Sequence, residues 1–143
     1  AEADLLRAKD LSGGRPYVLN YLGYSWIDNG KNVEQGLAMV EQAVQAEPNN
    51  GYFVDSLGWA FYRLGDFQKA VRFLEYATML QPGDPEIIDH LGDALWQVGR
   101  KFEARYQWQR VLTLEISEEK RERIERKIDF GVFEDHQGQK LAI

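Results

Sequence analysis

Apolar and small residues recur along this chain at helical spacing. Val54, Leu57, Gly58 and Phe61 are spaced 3, 1 and 3, which puts them on one helical face. Ala70, Leu74 and Ala77, spaced 4 and 3, make a second face. Gly65-Asp66 separates the two, and Pro82-Gly83-Asp84-Pro85 ends the unit, with Pro85 suited to a first helical turn. The unit then repeats. Leu57-Gly58, Gly65 and Ala70 return 34 residues later as Leu91-Gly92, Gly99 and Ala104. Leu22-Gly23 and Trp26 stand 35 before Leu57-Gly58 and Phe61, and Pro48 stands 34 before Pro82. The extra residue falls within 29–33 and predicts a longer turn there. Small residues at fixed register let paired helices approach closely. Glycine inside a helix costs roughly 1 kcal/mol relative to alanine, so its recurrence points to tight packing that offsets the cost.

A 34-residue helix–turn–helix unit with these residues resembles the tetratricopeptide repeat. The unit over 51–84 matches at Val54, Leu57, Gly58, Phe61, Gly65, Ala70, Leu74, Ala77 and Pro82. The next, 85–116, matches at Ile88, Leu91, Gly92, Gly99, Ala104 and Trp108, and departs at Leu95, Val111 and Ile116. The one before, 16–50, matches at Leu19, Leu22, Gly23, Trp26, Gly30, Ala43 and Pro48, with Gly36 where alanine is usual. Residues 1–15 keep only Ala1, Leu5 and Ala8 in register, as the closing helix of a partial unit. The wording around the three Leu-Gly pairs resembles bacterial members. The resemblance implies an all-α, right-handed α-solenoid and a non-catalytic role in protein–protein interaction, as the C-terminal part of a larger bacterial protein.

After Thr113 the pattern fades. Ser117 followed by Glu118-Glu119 predicts a helix start, and 117–129 carries only Ile124 and Ile128 as an apolar stripe. That suits a C-terminal capping helix on a solenoid. Its basic run, Lys120–Lys127, reads as solvated, with docking into an acidic groove of another copy as the sharper alternative. Residues 130–143 read as a tail that is loose or docks through Phe130 and Phe133.

Composition narrows the function. Charged residues make up 28% of 143 residues and the formal net charge is -6, a poor match to the basic surface that nucleic acid requires. No apolar run is long enough to span a membrane. The absence of cysteine removes thiolate chemistry and leaves the compartment open, cytoplasmic or periplasmic. No phosphate loop or nucleophile elbow is visible, because Gly13-Gly14 follows a helix rather than a strand. Asp89, His90 and Asp93 crowd one helix, but His90 is rotated about 100° from Asp89, so they read as surface polar residues and not a metal site. No cofactor, metal or catalytic set is expected.

The resemblance places the second, fifth, ninth and twelfth positions of each first helix along a concave groove. They read Tyr17, Asn20, Tyr24, Ile27, then Tyr52, Asp55, Trp59, Tyr62, then Glu86, Asp89, Asp93, Trp96. Two readings of the aromatics stand: an exposed wall covered by a partner, or packing between repeats. Chaperone-binding relatives hold a C-terminal carboxylate here with Lys, Asn and Arg. Asp55, Glu86 and Asp89 would repel one, which excludes that clamp. The expected partner is a protein, supplying a peptide or helix with basic and apolar residues. It would meet Tyr24, Asp55, Trp59, Tyr62, Asp89, Asp93 and Trp96. Charge is uneven along the chain. Glu47–Val98 holds eight acidic and three basic residues, Gly99–Lys127 six and nine. Self-association into a homo-oligomer through the tail, or service as an accessory segment of a larger enzyme, are the alternatives.

Overall fold

Side-chain caps set most of the helix starts. Asn50 accepts from the Tyr52 and Phe53 amides, Asp84 from those of Glu86 and Ile87, Asp66 from Lys69, and Ser117 from Lys120. Pro16 and Pro85 occupy first-turn positions, where the missing N–H costs nothing. The computed structural model describes residues 15–132. Its helices are α1 (Pro16–Asp28), α2 (Val33–Ala46), α3 (Gly51–Arg63), α4 (Phe67–Leu80), α5 (Pro85–Gln97), α6 (Lys101–Leu112) and α7 (Glu118–Phe130). The closing helix expected over 1–15 and most of the tail expected over 130–143 lie outside the described residues.

The helices pair as α1–α2, α3–α4 and α5–α6, and each pair packs on the next. First helices also touch along the array, α1 with α3 and α3 with α5. This is an all-α helical-repeat solenoid. The α3–α4 and α5–α6 turns hold three residues each, with Gly65 and Gly99 in the left-handed region at φ 84° and 87°. The α1–α2 turn holds four, and its extra residue, Asn32, is itself left-handed at φ 53°. The core runs as a line of clusters between the pairs. Ile27, Val40 and Leu57 belong to one, Val54, Ala77 and Ile87 to another. The largest holds Leu74, Ile88, Leu95 and Trp108 and reaches Ile124, the one buried residue of α7.

The recurrent glycines sit where helices touch. A Cβ on Gly58 would fall 2.7 Å from Leu74 Cγ, and one on Gly92 would strike the Trp108 indole. The α1–α2 contact is tighter. A Cβ on Gly23 would meet the Gly36 carbonyl oxygen at 2.7 Å, and one on Gly36 would meet the Gly23 carbonyl oxygen at 2.7 Å. Backbone faces backbone, which explains the departure from alanine at Gly36.

Gly36→Ala should therefore lower the melting temperature. Its helix-propensity gain of about 1 kcal/mol is outweighed by an overpacking cost of about 1–3 kcal/mol, because a backbone oxygen cannot move aside like a side chain. Gly83→Ala is the control, since a Cβ there meets nothing within 4 Å. It should leave the melt unchanged or slightly raised, as followed by circular dichroism.

Candidate functional site

Polar side chains on the first helices of successive repeats bond across one repeat length. His90 on α5 reaches Asp55 on α3 at 2.9 Å, 35 residues away. Gln97 donates to the Tyr62 hydroxyl at 3.2 Å, again 35 away. Lys120 on α7 donates to Glu86 at 3.3 Å, 34 away, and to Asp89 at 3.1 Å. Lys127 donates to Asp89 at 2.9 Å and to Asp93, 34 away, at 3.0 Å. The second imidazole nitrogen of His90 lies 3.3 Å from Glu86. The result is a chain of alternating charge: Asp55, His90, Glu86, Lys120, Asp89, Lys127, Asp93.

Burial and pairing fix the protonation states. Burial opposes charge on His90, but the Asp55 and Glu86 carboxylates outweigh it and hold the imidazole well above its usual pKa, so both ring N–H groups donate. The hydrogen bond from His90 holds Glu86 far below the ordinary carboxylate range, with Lys120 adding to it. Burial also opposes ionisation of Asp89, and Lys127 with Lys120 overcome it, lowering its pKa. Asp93 shares only Lys127 and faces Asp89, so burial prevails and pushes it up to about 6. Burial disfavours the Lys127 ammonium too, but Asp93 and Asp89 keep it charged.

Two expectations need correction. Asp89, His90 and Asp93 are not surface polar residues. They are 7%, 4% and 6% exposed, and they are tolerated because each is paired. Nor is the basic run of α7 wholly solvated. The stems of Lys120 and Lys127 lie against the solenoid beside Ile124, with their ammonium groups on its carboxylates.

Of the seven expected site residues, Tyr24, Asp55, Trp59, Asp89 and Asp93 line open cavities, and Tyr62 and Trp96 line neither. Tyr24 is half-buried on α1; burial, then Asp28, Asp55 and Glu86, push its phenol above the usual range. Trp59 is stacked between Tyr62, at 4.5 Å between centroids, and His90, at 4.1 Å. Tyr62 is buried, and Asp55 is held by His90. Asp89 and Asp93 are held by Lys127. Trp96 packs beside Trp108, under Lys101 and Arg105.

Two continuous cavities remain open beside these residues. One of about 460 Å³ is lined by Asn20, Tyr24, Asp28, Tyr52, Asp55 and Glu86, among others. The other, about 760 Å³, shares Tyr24, Asp28 and Glu86 and runs between Trp59 and the α7 residues Arg123, Arg126 and Phe130.

A structure of the first TPR of Spaghetti (RPAP3), bound to HSP90 peptide SRMEEVD, superposes with a TM-score of 0.70 at 23% identity. The match covers 80% of this chain and 90% of that one. The crystal structure of MamA superposes with a TM-score of 0.74 at 15% identity, over 91% of this chain and 74% of that one. The chain has the tetratricopeptide-repeat fold. TPR repeat-containing protein PA4667 of Pseudomonas aeruginosa is 33% identical over 76 residues, which is 53% of this chain but only 13% of that protein's length. No family model matches the chain.

In tetratricopeptide-repeat register, α7 stands where the first helix of a further repeat would lie. Lys120, Arg123, Lys127 and Phe130 follow Glu86, Asp89, Asp93 and Trp96 by 34. The sequence reading missed Lys120 and Lys127 as parts of the groove, although this offset was there to find. The fading apolar pattern hid it.

The charge chain yields a pH prediction. The pKa of Asp93 is raised on folding, so its favourable contribution is full below about pH 4 and lost as pH rises through about 6. The pKa of Asp89 is lowered on folding, so its contribution is present at neutral pH and lost in acid. At pH 7, Asp89→Asn should cost about 3–5 kcal/mol, as expected when one partner of a buried ion pair is removed. Asp93→Asn should melt at or above wild type at pH 7 and lose that advantage below pH 6. Thermal melts of both variants across this pH range check the ordering.

Proposed function

We propose that this chain is a non-catalytic protein–protein interaction module that receives a peptide or helix of a partner in its concave groove. The observation that carries the reading is the open, aromatic-walled groove itself. Its two cavities share Tyr24, Asp28 and Glu86 in their walls, and Tyr52 stands largely exposed at its edge. An open surface with aromatic anchors suits a bound segment. The fold supports the same reading, since the first and the second TPR of Spaghetti (RPAP3) are each solved bound to HSP90 peptide SRMEEVD.

The partner here differs from that acidic peptide. Asp28, Asp55, Asp84 and Glu86 line the smaller cavity and favour basic and apolar residues. Tyr24 and Trp59 meet the partner. Asp55, Tyr62, Asp89, Asp93 and Trp96 act behind them: Asp55 holds His90, Tyr62 stacks on Trp59, and Asp89 and Asp93 hold α7. Assembly through the basic helix of another copy is disfavoured, since α7 already pairs with Asp89 and Asp93 of its own chain.

A pull-down from lysate with the wild-type chain and a Tyr24→Ala, Tyr52→Ala variant tests the reading, with helicity checked by circular dichroism. A prey captured by the wild type should fall by about tenfold or more with the folded variant, as expected for aromatic anchors. Equal capture would move binding off the groove.

A further inference from the structure

The groove changes sign along its length. Its α1–α3 end is lined by Asp28, Asp55, Asp84 and Glu86, and by no Lys, Arg or His. Burial is the main cause of the raised Tyr24 phenol; Asp28, Asp55 and Glu86 add to it and Arg63 opposes them. The Asn20 Oδ1 atom at this end is buried and accepts from no donor among the described residues.

The opposite end is edged by α7. Lys120 and Lys127 turn inward and are paired, but Arg123, Arg126 and Phe130, spaced 3 and 4, make a separate stripe along the cavity. Both arginines are exposed and form no ion pair among the described residues, and Phe130 is 62% exposed. Across from them, Trp59 Nε1 is a buried donor with no acceptor among the described residues. So one end offers the Asp28 and Asp84 carboxylates, beside Asp55 and Glu86, which His90 and Lys120 already partner. The other offers guanidinium groups and an aromatic ring.

We infer that the groove binds a bipolar segment of a partner protein in one direction only. The cationic end of that segment lies over α1 and α3, its apolar middle against Tyr24 and Trp59, and its acidic end against Arg123 and Arg126. This rests on the interaction-module reading above and deepens it. A reversed segment would place like charges together at both ends, which is how charged interfaces reject wrong registers. Guanidinium groups also take carboxylates bidentately, which adds geometric selection at the α7 end.

A random-peptide library displayed on phage, selected against the immobilised full chain, tests this directly. Enriched peptides should carry basic residues at one end, acidic residues at the other and apolar residues between, all in the same chain direction. Arg123→Glu, Arg126→Glu should weaken a selected peptide by about tenfold or more in Kd, with unchanged circular dichroism because both side chains are exposed. Selection on that variant should replace the acidic end by a basic one. Uniformly basic peptides, or peptides that bind both proteins equally, would overturn the bipolar assignment and leave the groove reading standing. Peptides matching Phe133–Ile143 would make the occupant a copy of this chain and overturn the separate partner. No enrichment over bare support, or equal binding to Tyr24→Ala, Tyr52→Ala, would sink the groove reading itself.

Discussion

One ammonium group holds the C-terminal half of this solenoid together. Lys127 Nζ sits between Asp89 and Asp93, two carboxylates that share one face of α5 and are almost wholly removed from water. Neither would remain ionised there alone, because desolvating an unpaired carboxylate costs several kcal/mol. From that ammonium the pairing continues through Lys120 and Glu86 to His90 and Asp55, tying α7 to α5 and α5 to α3. Apolar packing accompanies it: Ile124 is fully buried beneath α7, and Arg105 bonds the Ile128 carbonyl at 3.0 Å. The ion pairs set where α7 lies, and α7 in turn forms one wall of the larger cavity.

The same network explains the order of the aromatic side chains. Trp59 keeps its orientation because the His90 imidazolium covers one face and Tyr62 the other. His90 is charged because Asp55 and Glu86 flank it. Thus the apolar floor of the groove is positioned by the polar chain along its wall. The α1 end has no such chain, and there Tyr17 and Tyr21 are largely exposed.

The fold was legible because its signals are local and periodic. Leu-Gly pairs, turn glycines and the one-residue excess before Val33 all stand in the sequence at fixed offsets. The meaning of Gly36 was not legible. It looked like a lapse from alanine, and only the facing Gly23 carbonyl shows why a methyl group is refused. The groove was legible as a stripe of positions but not as a set of charges. A stripe shows which residues share a face. It does not show that Asp55 lies under His90, or that Lys120 and Lys127 return to the last repeat after the apolar pattern has faded. Buried charge looks like surface charge in a sequence, because the partner that permits burial is a whole repeat away.

The 34- and 35-residue bonds also fix the order of the units. Asp55 in one repeat needs the histidine of the next, and Glu86 and Asp93 need the lysines of α7. A copy of the 51–84 unit inserted after residue 116 would set Tyr52, Asp55 and Trp59 against Glu86, Asp89 and Asp93, stranding the Asp89 and Asp93 carboxylates. These repeats share a backbone plan, yet they are not interchangeable modules. The array carries a directional syntax written in charge.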